Sequence, residues 1–153
     1  MKYLLTFLLS MVPVIELRGS IPFAILNGIN PWLAFAISVV GNTCPVILIL
    51  LFIRRVFAWA KKYERLGKIV LKLERKAAGK SDKVRKYEFF GLCLFVAIPL
   101  PGTGAWTGAL IAAFVDMRIR RALPAIFIGM IVAGVIITLI CALGIHALDF
   151  FLG

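Results

Sequence analysis

Two apolar regions of this chain are broken in the middle by residues that lipid cannot accommodate. The first break is Glu16-Leu17-Arg18-Gly19-Ser20-Ile21-Pro22; the second is Pro99-Leu100-Pro101-Gly102-Thr103-Gly104-Ala105-Trp106-Thr107-Gly108. Hydrocarbon offers no partner for an exposed N–H or C=O, so irregular backbone at membrane depth persists only where protein or a water-filled cavity covers it. Two interrupted segments in corresponding halves of a small membrane protein point to a transport site. Whatever fold the chain adopts must hide both breaks in its interior.

Composition places the chain in a membrane. Of its 153 residues, 62% are hydrophobic and the mean hydropathy is +1.02, more apolar surface than a soluble domain of this length can bury. The net charge of +11 is unevenly spread: residues 54–88 hold 13 of the 18 Lys and Arg and four of the seven acids. Arg118, Arg120 and Arg121 form a second cluster, and only Lys2 and Arg18 lie elsewhere. Basic loops between apolar regions follow the positive-inside pattern, with anionic lipid headgroups rather than nucleic acid as the counter-charge. Cys44, Cys93 and Cys141 stand singly in apolar runs, without metal-ligand spacing or an even count for disulfides. The sole histidine, His146, closes the last apolar region. No metal or cofactor is expected. Lys2 followed by Tyr3–Val14 imitates a signal peptide, but Ile15-Glu16-Leu17-Arg18 replaces a small-residue cleavage site, so the segment is read as retained.

Apolar regions cover 3–29, 31–53, 89–115 and 122–148. The second and fourth are long enough to cross a bilayer core, which takes about 20 residues. The uninterrupted arm 89–98 would reach only about 15 Å at helical rise. A full crossing by 89–115 would set the two basic clusters on opposite faces, against the charge rule. A re-entrant hairpin keeps both clusters cytoplasmic. The expected fold is therefore an all-α integral membrane protein of one domain: hairpin plus span over 1–53, a cytoplasmic basic segment over 54–88, hairpin plus span over 89–153. The first hairpin enters from the outer face, which leaves both termini outside.

The halves resemble each other. Leu17-x-Gly19-Ser20-x-x-Phe23 matches Leu100-x-Gly102-Thr103-x-x-Trp106, and Pro31 with Gly41 matches Pro124 with Gly134. Hairpin-plus-span read from opposite faces is an inverted-topology repeat. Between the halves, Val56, Trp59, Tyr63, Leu66, Val70, Leu73 and Ala77 recur as a heptad seam in a basic amphipathic helix. Gly79 ends it, and Ser81 can cap the next turn. That helix suits an anionic lipid surface, a seam pairing two copies, or packing on its own membrane domain.

Glu16 and Arg18 are the only charges inside an apolar region. A charge there costs at least about 2.5–3.5 kcal/mol, which makes it a functional-site candidate. A carboxyl in a dry cavity favours its neutral form, so Glu16 can exchange a proton. Arg18 presents a planar fork that suits phosphate or carboxylate. A structural alternative pairs Glu16 with Arg18, or sets Glu16 at a half-helix beginning near Gly19. The second break carries no charge. There Pro99 and Pro101 interrupt the helix, Pro101 lacks an N–H, Gly102 and Gly104 allow close approach, Thr103 and Thr107 add hydroxyls, and a half-helix starting near Gly104 offers free N–H groups to an anion. Asn42, Thr43 and Pro45 could line the same interior, or Asn42 could simply bond a neighbouring helix.

On these two motifs, the chain resembles the small multidrug-export family of prokaryotic membrane proteins over nearly its whole length, and distantly the DedA/VTT superfamily. The first resemblance implies a multi-pass inner-membrane protein of two re-entrant hairpins plus spans. The second implies movement of polyprenyl-phosphate or phospholipid, with Glu16 and Pro22 similar to the first acidic–proline element. No Arg lies between Phe89 and Val115, which leaves Arg18 and backbone amides as the headgroup contacts.

The leading expectation is a proton-linked transporter or flippase for an amphiphilic, anionic substrate. The substrate- or proton-binding residues expected are Glu16, Arg18, Gly19, Ser20, Pro22, Asn42, Pro99, Pro101, Gly102, Thr103, Gly104, Trp106 and Thr107. A scaffold or assembly factor using the heptad helix, and a channel, are the alternatives. An enzyme is disfavoured because no acid, base and metal-ligand set clusters in the apolar regions. Four short elements enclose little volume, so a homodimer is expected.

Overall fold

Pro13 sets where the first apolar arm ends. In the computed structural model, which describes residues 1–60, 62, 63, 67, 68, 71, 82–100 and 102–152, helix α1 covers Lys2–Met11 and stops at Val12, which is extended, as the residue before proline prefers. Helix α2, Glu16–Leu26, returns alongside it. Lys2 Nζ donates to the Asn27 carbonyl at 3.1 Å, so the open ends of the pair meet and the arms run antiparallel. Arms of 10 and 11 residues are about 15–17 Å long, roughly half a hydrocarbon core.

Helix α3, Pro31–Ala60, follows. Asn30 caps it by accepting the Trp32 N–H at 3.0 Å, and Pro31 occupies the first turn, where its missing N–H costs nothing. The start of the heptad seam does not belong to a helix separate from the second apolar region. Val56 and Trp59 continue α3, and Trp59 stacks edge-on against Tyr63 with ring centres 4.8 Å apart. The rest of the heptad seam (Leu66, Val70, Leu73, Ala77), with Gly79 and Ser81, lies outside the described residues.

Helix α4, Asp82–Ala97, and helix α5, Ala105–Phe114, form the second hairpin. A Cβ on Gly108 would lie 2.6 Å from Val96 Cγ2, so the arms touch closely beside the tip. Helix α6, Ile119–Leu152, completes the chain. Pro31–Ile53 of α3 and Ile119–Gly144 of α6 are long and apolar enough to cross a membrane. Both carry exposed Leu, Ile and Phe (Leu48, Leu51, Phe52, Ile140, Leu143) on their outer faces.

One turn motif occurs twice. After α2, the N–H groups of Asn27, Gly28 and Ile29 donate to the carbonyls of Phe23, Ile25 and Ala24; after α5, those of Val115, Asp116 and Met117 donate to Ile111, Ala113 and Ala112. Gly28 and Asp116 are both left-handed, at φ 73 and 52, and the bond spanning six residues marks each as a Schellman cap. Every partner is displaced by the same 88 positions (28 to 116). The displacement carries into the long helices: Ala34 and Ala122 are both fully buried, and Gly41 and Gly129 each sit ten residues after their helix begins (31 to 41, 119 to 129). Gly41 abuts Phe7 and Ser10 of α1, whereas Gly129 abuts Cys93 and Val96 of α4. Each long helix thus packs, through a glycine, on the first arm of the hairpin before it. The sequence matches of Leu17 with Leu100 and of Pro31 with Pro124 do not superpose: Gly19 is helical while Gly102 is in a turn, and Pro31 starts α3 while Pro124 lies inside α6. What the two halves share is the left-handed cap and the glycine contacts.

Both hairpins share α6. Ile126 and Gly129 face α5 and α4, while Gly134 meets Ile21 of α2 and Phe35 of α3. The second hairpin therefore lies along the early part of α6, and the first is met farther along.

Candidate functional site

The tips of the two hairpins touch, and charge does the joining. Glu16 opens α2 with a left-handed backbone, φ 48, costly for a non-glycine residue. Its side chain is 4% exposed and leaves its own hairpin: Oε1 accepts the backbone N–H of Trp106 at 3.2 Å. Trp106 is in the first turn of α5, whose cap residue Gly104 is extended and supplies no side chain. A Cβ on Gly104 would collide with the Glu16 carboxylate, so glycine is what admits it. A carboxylate at a helix N-terminus satisfies orphan N–H groups and the positive dipole end together.

Arg18 makes the opposite contact. Its Nη2 donates to the Ile98 carbonyl at 3.0 Å and to Thr103 Oγ1 at 3.0 Å. Ile98 is the first residue past α4, where unpaired carbonyls form the negative end. The Thr103 hydroxyl also lies 2.7 and 2.9 Å from the carbonyls of Ile98 and Leu100, tying the tip to itself. One hairpin's acid therefore caps the start of α5, and its arginine caps the end of α4.

Other expected site residues take different positions. Gly19 lies one turn into α2, against Ile15, so the half-helix starts at Glu16 and not near Gly19. Ser20 is buried and donates to Ser38 Oγ on α3 at 2.7 Å. Pro22 sits inside α2 and withholds an N–H from the Arg18 carbonyl. Pro99 and Gly102 are exposed in the tip, Gly102 at φ 85; Thr107 is half-buried on α5. Pro101 lies outside the described residues. Asn42 is fully buried, and neither amide atom has a hydrogen-bond partner; the Trp106 indole Nε1 and Thr138 Oγ1 are in the same condition. Of the free N–H groups of α5 expected to await an external anion, that of Trp106 is already taken by Glu16. Sequence reasoning missed the Ile98 carbonyl, Ser38 and Thr138. A lone serine or threonine in an apolar helix was the available signal for the latter two, while a main-chain acceptor leaves none.

Residues 16–136 match the family described as "Putative small multi-drug export protein". Comparison with curated proteins and with solved structures gave no match. The family is one of export, not of enzymes, and two helices of this chain have the length and apolarity to cross a bilayer. The matched stretch begins at Glu16, just past the turn of the first hairpin, and takes in the second tip and the first half of α6. The chain belongs to this small multi-drug export family, a membrane protein with a transporter-like role.

Proposed function

We propose that this protein is a proton-linked transporter or flippase for amphiphilic, anionic substrates, built as two re-entrant hairpins and two spans in an inverted-topology repeat. The observation that carries the reading is the Glu16 carboxylate seated on the first turn of α5. A half-helix N-terminus inside a membrane protein is a ready anion site, and here a carboxylate of the chain itself fills it. Glu16 acts as an internal substitute for substrate. When it takes up a proton it loses its charge and its hold on α5, and the substrate's anionic group replaces it on the same amides. Arg18, held by the Ile98 carbonyl and Thr103, can turn its remaining N–H groups to the same group. Departure of the substrate and loss of the proton restore the resting contact.

Several features support the repeat and its orientation. The caps at Gly28 and Asp116 use the same hydrogen bonds 88 residues apart, the glycine contacts at 41 and 129 correspond, and the hairpins occupy successive stretches of α6. Exposed Arg55, Arg118, Arg120 and Arg121 suit a cytoplasmic face against anionic headgroups, as does the basic stretch 54–88. An inner-membrane location follows from that reading. Exposed tip residues such as Val14 and Leu100 are surfaces that a second copy can cover, in keeping with a homodimer. The flippase version leans on the DedA/VTT resemblance.

The test is reconstitution in liposomes, with a fluorescently labelled phosphatidylglycerol to follow flipping and a lipophilic anionic dye to follow efflux. Wild type should move at least one probe faster when a proton gradient is imposed. Glu16→Gln should remove the pH response. PH-independent movement equal to wild type in that variant eliminates Glu16 from the mechanism.

A further inference from the structure

The interior next to Glu16 contains polar groups that the tip contact does not use. Asn42 is fully buried, and both its amide atoms lack partners; the indole Nε1 of Trp106 is buried and unpartnered too. Register sets Asn42 level with Glu16, and the backbone of Trp106 joins them there. Helices α2 and α3 join through a short turn, run antiparallel and meet at the Ser20–Ser38 hydrogen bond. One turn from Ser20 toward the tip is Glu16; the matching step along α3 from Ser38 is Asn42. Trp106 joins this level through its backbone bond to Glu16. Thr138 is excluded, since it lies one turn beyond Gly134, which already faces Ile21 and Phe35 on the far side of the serine pair.

The chemistry of the layer is specific. The indole can only donate, the amide both donates and accepts, and an ionised carboxylate only accepts. A buried amide left unpaired is costly, and a small ligand that both donates and accepts would satisfy all three groups. Water meets that requirement, since buried waters typically make two to four hydrogen bonds to such groups.

We infer that Asn42, the Trp106 indole N–H and the Glu16 carboxylate hold an internal water, and that this water delivers the proton to Glu16. The role in proton delivery rests on the proton-linked reading above; the binding site does not. The step balances: hydronium from the aqueous phase gives a proton to the water's oxygen as one of that water's O–H bonds breaks toward the Glu16 carboxylate, leaving a neutral water and a neutral acid. The charged group beside Glu16 on its own helix is Arg18. In this layer α3, α5 and α6 have no Asp, Glu, Lys, Arg or His in the sequence. The thiol of Cys44, farther along α3, is turned to the Val40 carbonyl at 3.5 Å. The charge of α1, Lys2, is held at the opposite end by Asn27, and the charges of α4 precede Phe89.

The experiment needs no substrate. With Trp32 and Trp59 replaced by Phe, Trp106 is the sole tryptophan, and ultraviolet resonance Raman reads the hydrogen bonding of its indole N–H. The expected result is a hydrogen-bonded indole whose proton exchanges with D2O in minutes despite burial. Asn42→Leu should convert it to a free indole that exchanges over hours. A free indole in the parent protein, or one unmoved by Asn42→Leu, overturns the site. Infrared spectroscopy supplies a second arm through Trp106→Phe, which keeps the ring. The protonated carboxyl band that Glu16→Gln removes should move to higher frequency in Trp106→Phe, and an unmoved band overturns the link to Glu16. Both arms read the site directly, so a failure of transport in liposomes counts against the transporter reading and leaves this result standing.

Discussion

The two hairpins meet at one point and contribute opposite kinds of chemistry to it. The first has a turn of four residues (12–15) and supplies both charges, Glu16 and Arg18. The second has a tip of seven residues (98–104) without a charged side chain and supplies main-chain dipoles: the N–H of Trp106 and the carbonyl of Ile98. A second acid at the position equivalent to Glu16 would set like charges together in a buried interior, which forces one of them to neutralise. Gly104 occupies that position (16 to 104, the same 88 residues). The two hairpins thus share their closing caps and differ in charge. What this teaches is that two hairpins can close with the same cap while only one of them carries ionisable chemistry at the contact.

The comparison breaks most completely at Gly104. Gly104→Leu fills the space of the Glu16 carboxylate, and stranding a buried charge costs about 3–5 kcal/mol; thermal denaturation in detergent should show a collapse of folded protein. A variant as stable as wild type means that the tips do not need each other. Arg18→Ala comes next. Losing hydrogen bonds from a charged donor is worth about 1.5–3 kcal/mol, and Arg18→Lys should recover only part of it, because the lysine side chain ends one atom short of Nη2, the nitrogen that reaches both Ile98 and Thr103. Chemical denaturation measures both.

Ser20→Ala should cost about 1 kcal/mol by orphaning Ser38, whereas the double change Ser20→Ala with Ser38→Ala should be nearly neutral. Equal losses in the single and double variants would remove that bond from the account. The smallest effect sharpens the symmetry. Asp116→Gly makes the second cap like the first and should stabilise by up to about 1 kcal/mol, since glycine accepts a left-handed backbone freely. Gly28→Asp should go the other way, and the opposite signs would remove the caps from the correspondence.

Much of the site was legible because lipid is an unforgiving solvent. Glu16 and Arg18 stand out as the only charges within apolar regions, and the glycine–threonine turn stands out as the other break; the fold joins them. The direction of the contacts was not legible. Whether Glu16 caps its own helix or another depends on an approach across 90 residues (16 to 106), and hydropathy carries no such information. The 88-residue correspondence of the caps was not legible from residue matches. Leucine, serine and proline drew the eye, while equivalence resides in Ala24 with Ala112, Ala34 with Ala122, and Gly41 with Gly129, small residues common in any membrane helix. The unpartnered Asn42 was legible as a polar residue in a span, but its level beside Glu16 came only from the Ser20–Ser38 register.

Helix α6 meets α4 at Gly129 and α2 at Gly134, five positions apart (129 to 134), or about 7.5 Å of axial rise. Both hairpins therefore bear on one short central stretch of a single helix. Any tilt of that helix would shift one hairpin against the other and would have to break the cross-caps at Glu16 and Arg18.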